Sequence, residues 1–137
     1  MHHPLLYRFH KLHHEYKVTA CLAIMHASPL EHFLNIISFG LPFKLVARVY
    51  PVHIYTVIVW LTFRTIESLD GHCGYDWPWA VTNLLPFSAG GNYHSFHHSK
   101  NSGNYGAMLH LLDTLFGTNK DYIKNEPNKA ICKETKV

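Results

Sequence analysis

The chain carries the motif His-x-x-His-His twice, at residues 10–14 and again at residues 94–98. On an α-helix, residues i, i+3 and i+4 share one face, so each copy can direct three imidazoles toward one point. Imidazole is a good ligand for zinc, iron, copper and nickel. Any fold that this chain adopts must therefore accommodate six histidines from two distant segments, and the simplest arrangement gathers them around metal.

Composition excludes several other classes of protein. Histidine accounts for 13 of the 137 residues, whereas the 12 lysines and arginines are scattered, which gives little support to nucleic-acid binding. The three cysteines form no Cys-x-x-Cys pair, so neither a disulfide framework nor a cysteine-based zinc module is predicted. The chain also lacks His-Glu-x-x-His, Walker, Gly-x-Ser-x-Gly and Gly-x-Gly-x-x-Gly motifs.

Six imidazoles fit two metal ions better than one, because three protein ligands leave each ion an open position for substrate or oxygen. His72 lies between the two motif copies and is a plausible seventh ligand. Asp76, four residues later, is a plausible oxygen ligand or a hydrogen-bond acceptor for a ligating histidine. The predicted metal ligands are His10, His13, His14, His72, His94, His97, His98 and Asp76.

The remaining histidines carry less signal. Those that stand singly in apolar surroundings are interpreted as hydrogen-bonded helix residues rather than ligands; they are His26, His32, His53 and His110. His2 and His3, beside the first residue, fit either interpretation. Arg64 and Glu67 have the i, i+3 spacing of a simple ion pair, although Glu67 could instead orient a ligand.

Residues 32–66 are mostly apolar, with Pro42 and Pro51 as punctuation. The uninterrupted pieces, Phe33–Leu41 and Val52–Phe63, are shorter than the about 20 residues of a straight membrane crossing. Three interpretations remain: two tilted or broken membrane helices, a helical hairpin half sunk in the interface, or a soluble helix pair. We favour membrane association. Aromatic residues suited to an interfacial belt are Tyr50, Tyr55, Trp60, Trp77 and Trp79.

The second half of the chain changes character after Glu67 and becomes rich in glycine, asparagine and aromatic residues. Gly90–Gly91 is predicted to form a tight turn before the second histidine motif. Apolar residues at 3–4 spacing predict a helix from Tyr105 to Phe116 that Gly117 ends. Residues 123–137 are predicted to be a solvated polar tail. The predicted fold class is all-α.

The order of these motifs resembles a known family. Four segments carry the likeness: residues 10–14 (HKLHH), 67–79 (ESLDGHCGYDWPW), 84–106 (LLPFSAGGNYHSFHHSKNSGNYG) and 112–122 (LDTLFGTNKDY). Together they resemble the membrane-bound fatty acid hydroxylase/sterol desaturase superfamily, with the greatest likeness to C4-methylsterol monooxygenases and cholesterol 25-hydroxylase-like proteins. The likeness extends over about residues 2 to 122, and SPLEH at 28–32 contributes to it.

The resemblance implies a membrane-associated helical bundle with a histidine-lined di-metal cap, in the endoplasmic reticulum membrane. It implies a non-haem centre of two iron ions, with zinc possible in isolated protein, and electrons from NAD(P)H through cytochrome b5 or a reductase. The implied reaction is O2-dependent hydroxylation of a sterol or another membrane lipid. By position, His10, His13 and His14 match one family box, while the motif at residues 94–98 matches the last box.

The chain also departs from the family pattern. The family pattern includes an earlier His-x-x-x-His box and preceding membrane helices that this sequence does not contain. We therefore interpret residues 1–122 as an N-terminally truncated catalytic domain. Asn92 and Ser95 replace aspartates that often accompany the last box. Two alternatives therefore stay open: a non-catalytic metal-binding membrane protein, and a metal-dependent lipid hydrolase in which zinc activates water.

Overall fold

The computed structural model describes residues 2–84, 87–88, 90–107 and 109–125. Its helices are α1 (Pro4–His10), α2 (Pro29–Val46), α3 (Ile54–His72), α4 (Val81–Leu84), α5 (Gly90–Lys100) and α6 (Leu111–Phe116), and residues 120–125 are also helical. Two 3-10 turns cover His13–Glu15 and Cys21–Met25. Within these described ranges there is no β-strand, only an isolated bridge between Ser88 and Leu109, so the all-α prediction is confirmed. The predicted tail falls mostly outside the described residues.

The two longest helices begin at side-chain caps. The hydroxyl of Ser28 accepts a hydrogen bond from the backbone N–H of Glu31 and starts α2, with proline at the first helical position. His53 caps α3 in the same way through the N–H of Tyr55. Pro51 separates the two helices, but Pro42 lies inside α2 without ending it, contrary to its predicted role as punctuation. A proline removes only one helical hydrogen bond, and the rest of α2 continues past it.

The glycine pair does not form the predicted tight turn, because Gly90 and Gly91 are the first two residues of α5. Gly90 has φ of +64°, a value that favours glycine. A Cβ atom on Gly91 would lie 2.6 Å from the carbonyl oxygen of Tyr75. Both glycines therefore allow the start of α5 to pack against the chain that follows α3.

The last helix, α6, begins at Leu111, six residues later than the spacing predicts, and ends as predicted at Gly117 with φ of +68°. The backbone N–H groups of Tyr105 and Gly106 donate to the carboxylate of Asp113 at 2.9 and 2.7 Å. These bonds replace the helical pattern in the segment before Leu111. The spacing of apolar residues could not reveal that the carboxylate of Asp113 takes the N–H groups that a helix would need.

Helix α3 is the centre of the packing, since it contacts α4, α5 and the Cys21–Met25 turn, while α1 packs on α2. Among the residues whose burial the structure describes, few large apolar side chains are buried; the buried hydrophobic ones are Ala23, Ala80, Tyr93 and Phe96. Histidines and other polar residues fill the interior instead. Many apolar side chains of α2 and α3 are exposed, including Ile36 at 70% and Val59 at 67%.

No helix among the described residues combines the length and the apolar character needed to cross a membrane.

Candidate metal centre

Histidines from the end of α1, the following 3-10 turn, the last turn of α3 and the middle of α5 converge in the interior. They form two groups, in each of which the candidate ligand atoms all lie within 4.8 Å of one another. We call the first the outer group, because two of its members are only partly buried: it contains His2, His10, His14 and His97. The second, the inner group, is fully buried and contains His13, His72, His94 and His98.

The two motif copies are each divided between the groups. His10 and His14 join the outer group, whereas His13 joins the inner one. The prediction that each copy directs three imidazoles to one point is therefore wrong. In the first copy the physical reason is visible, because α1 ends at His10 and the next two histidines belong to a 3-10 turn. In the second copy, His97 leaves α5 on the side of the outer group.

Within each group the ring nitrogens approach closely. In the outer group, Nε2 of His10 lies 3.0 Å from Nε2 of His14, and Nε2 of His2 lies 3.0 Å from that of His97. In the inner group, Nε2 of His72 lies 2.9 Å from Nε2 of His94 and 3.3 Å from that of His13. Several imidazole nitrogens directed at one point form the donor set that a transition-metal ion prefers.

In four of these histidines Nδ1 donates a hydrogen bond to a backbone carbonyl oxygen, and this leaves Nε2 without a proton and free to ligate. The pairs are His13 Nδ1 with Ala23 at 3.1 Å, His72 Nδ1 with Ser68 at 2.8 Å, His97 Nδ1 with Gly103 at 2.6 Å and His98 Nδ1 with Tyr16 at 3.1 Å. Nε2 of His98 is buried and has no hydrogen-bond partner. An orphaned acceptor of this kind in a polar cluster is what a bound cation would satisfy, so the inner group fits a metal ion.

Burial favours the neutral form of several of these imidazoles, which is the form that metal ligation requires. Burial, followed by the charges of neighbouring histidines, lowers the pKa of His14 to about 2 and that of His2 to about 3. Burial likewise lowers the pKa of His98 to about 3 and of His72 to about 4. Burial also lowers the pKa of His94 well below its ordinary value.

The eighth predicted ligand, Asp76, is in neither group. Its carboxylate accepts hydrogen bonds from the side-chain amides of Asn83 at 2.9 Å and Asn92 at 2.7 Å. Asp76 belongs to the loop after α3, and its contact with Asn92 ties this loop to the first turn of α5. A role for Asp76 as an oxygen ligand stays a prediction.

Two residues of the centre could not be assigned from the sequence. His2 fits two interpretations there, and the structure places it in the outer group. Glu31, from the SPLEH segment, accepts a hydrogen bond from Nδ1 of His10 at 2.8 Å.

The isolated histidines make hydrogen bonds elsewhere: His26 with Glu15, His32 with Met25, His53 with Tyr55 and His110 with Thr114. Arg64 and Glu67 form the predicted i, i+3 ion pair at 2.9 Å.

A cavity of about 530 Å³ opens beside the histidines. Both groups contribute to its wall, and apolar side chains from the 3-10 turn and α2, Ile24 and Phe39, form another part of it. Polar side chains of Asn35, Ser38 and Arg64 line it as well. A mainly apolar molecule with a small polar group could therefore reach the candidate metal positions.

Comparison with known proteins agrees with this geometry. The family described as fatty acid hydroxylase matches residues 1–118. Methylsterol monooxygenase 1-3 of Arabidopsis thaliana is 36% identical over 84% of this chain and 39% of its own length. Methylsterol monooxygenase 1 of Danio rerio is 35% identical over 97% of this chain and 45% of its own length. Very-long-chain aldehyde decarbonylase GL1-8 of Oryza sativa subsp. indica is 37% identical over 92% of this chain and 47% of its own length.

The chain thus spans less than half the length of these curated relatives. No solved structure matches it with statistical significance.

Proposed function

Because the chain belongs to the fatty acid hydroxylase family, we propose that it forms the histidine-lined centre of an O2-dependent lipid hydroxylase. The observation that carries this proposal is the pair of four-histidine groups, in each of which the candidate ligand atoms lie within 4.8 Å of one another. Nitrogen-rich positions with room for a further ligand suit a non-haem di-iron centre. Two iron ions would supply the activation of O2 that hydroxylation of an unactivated C–H bond requires.

The protein side chains have three tasks in this proposal. Neutral imidazoles hold the ions, and the carbonyl oxygens of Ala23, Ser68 and Gly103 keep three of the rings in the ligating tautomer. All four histidines of the inner group are buried, so their access to solvent is limited to the adjoining cavity, which His13, His72 and His94 line. The adjoining cavity, which residues of both groups line, would hold the substrate beside the ligating histidines.

A 4-methylsterol, or another membrane lipid with an accessible alkyl carbon, is the proposed substrate. Two of the relatives described above are methylsterol monooxygenases, and Ile24 and Phe39 give the cavity an apolar wall. The exposed apolar side chains of α2 and α3 support a location at the endoplasmic reticulum membrane, where such lipids dissolve. Electrons would come from NAD(P)H through cytochrome b5 or a reductase.

The test is anaerobic reconstitution of the full chain with ferrous iron in detergent, followed by addition of O2, a reductant and a 4-methylsterol. We expect two bound iron ions and an oxygenated sterol product that depends on O2. Iron binding without any product would favour the alternative of a non-catalytic metal-binding membrane protein. Hydrolysis of a lipid ester by the zinc-loaded chain, without O2, would favour the hydrolase.

A further inference from the structure

Glu31 lies directly behind the outer group. Its Oε1 is 2.8 Å from Nδ1 of His10, and the two side chains are only 7% and 12% exposed. A carboxylate oxygen can only accept here, so Nδ1 of His10 carries the proton and Nε2 is directed toward His14. The contact joins two segments that are 21 residues apart.

The position of this carboxylate is set by the start of α2. Ser28 caps the helix through the backbone N–H of Glu31, and Pro29 occupies its first position. Helix α1, which ends at His10, packs against α2. The carboxylate is therefore presented to His10 by a rigid first helical turn rather than by a flexible loop.

The contact makes the two groups chemically unequal. Histidines of the inner group that have a partner at Nδ1 donate to neutral backbone carbonyls, as His13 and His72 do. His10 of the outer group donates to a carboxylate instead. A carboxylate behind an imidazole fixes the ring tautomer and makes its other nitrogen a stronger donor to a metal ion.

The second oxygen of the same carboxylate points to a missing positive charge. Oε2 of Glu31 is buried and has no hydrogen-bond partner. A buried carboxylate with a single hydrogen-bond partner is disfavoured unless a nearby positive charge compensates it. A divalent ion held by Nε2 of His10 would lie on the far side of the imidazole from Glu31 and would supply that compensation.

We propose that Glu31 is the positioning residue of the outer group, acting through His10. It raises the affinity of the outer group for a divalent cation and leaves the affinity of the inner group unchanged. This inference rests on the metal centre of the proposed function. It assigns to Glu31 a role in metal loading, although the residue also lines the cavity beside the histidines.

The experiment is a titration of the full chain with Co²⁺ in detergent, followed by the visible absorption of the bound ion and by equilibrium dialysis. The wild type is expected to bind two equivalents. In Glu31→Gln, which keeps the size of the side chain but removes its charge, we expect one equivalent to bind about ten- to a hundredfold more weakly. The other equivalent should keep its wild-type affinity. Glu31→Asp restores the charge and should lose less affinity than Glu31→Gln.

Glu67→Gln is the matched control, because Glu67 is also a buried carboxylate but pairs with Arg64 instead of a histidine. It should bind both equivalents as the wild type does. Wild-type affinity of both equivalents in Glu31→Gln, or an equal loss at both, would overturn the inference. If Glu31→Gln does not fold, a loss of affinity in Glu31→Asp that is spread over both equivalents overturns it instead. A wild-type chain that binds no cation would contradict the proposed function itself.

Discussion

Nδ1 of His97 donates a hydrogen bond to the carbonyl oxygen of Gly103 at 2.6 Å, and this contact couples the outer group to the loop after α5. The loop is held in turn by Asp113, whose carboxylate accepts from the N–H groups of Tyr105 and Gly106. The phenol of Tyr93, on α5, donates to the same carboxylate at 2.8 Å. A buried acid outside the metal centre thus positions one of its ligands.

Asp113→Ala should destabilise the fold and weaken the outer metal position. The substitution leaves the buried phenol of Tyr93 and the partly buried N–H groups of Tyr105 and Gly106 without their acceptor, at a cost of about 2 to 3 kcal/mol in the free energy of unfolding. Urea unfolding of the metal-free chain measures the first effect, and Co²⁺ titration measures the second. Asp121→Ala, at an exposed acid of the helical segment 120–125, is the control. Equal stability of the two variants would contradict this account of Asp113.

His97→Ala should reduce metal content, and with it the proposed hydroxylase activity, because it removes a ring nitrogen from the outer group. His53→Ala should leave the metal content unchanged, because His53 only caps α3. Its expected effect is the loss of a helix cap, about 1 kcal/mol. Metal analysis after dialysis distinguishes the two variants. Full metal stoichiometry in His97→Ala would exclude it as a ligand.

Gly91→Ala should disturb the start of α5 and, through it, the second histidine motif. The new Cβ would lie 2.6 Å from the carbonyl oxygen of Tyr75 and 3.2 Å from that of Asp70, so backbone must move. We expect a loss of about 1 to 3 kcal/mol in the free energy of unfolding. Gly40→Ala is the matched control, since nothing lies within 4 Å of its Cβ position inside α2. That variant should gain about 0.5 to 1 kcal/mol, as thermal unfolding would show.

Acid should destabilise the metal-free chain well above the range in which carboxylates titrate. In the unfolded chain His72 and His98 bind protons below their ordinary pKa of 6.5. In the folded chain burial lowers the pKa of His72 to about 4 and that of His98 to about 3. The unfolded state therefore binds more protons as the pH falls, and the free energy of unfolding decreases through this window. A free energy of unfolding that is constant between pH 6.5 and pH 4, the two pKa values of His72, would refute the explanation.

The sequence predicts the histidines of the centre better than it predicts their arrangement. Seven of them stand in or between repeated motifs, and local spacing makes such residues visible. His2 has no pattern around it, and Glu31 depends on how α1 packs against α2, so neither could be assigned from spacing. Spacing also predicts the start of α6 too early, because it does not show that Asp113 accepts the backbone N–H of Tyr105 across a loop.

Because each histidine motif contributes rings to both groups, neither metal position can be assembled by one segment of the chain. The first motif copy with the residues before it supplies three rings of the outer group, and the fourth, His97, comes from α5. The affinity for metal should therefore depend on α1, α3 and α5 being docked on one another, and bound ions would in turn stabilise that docking.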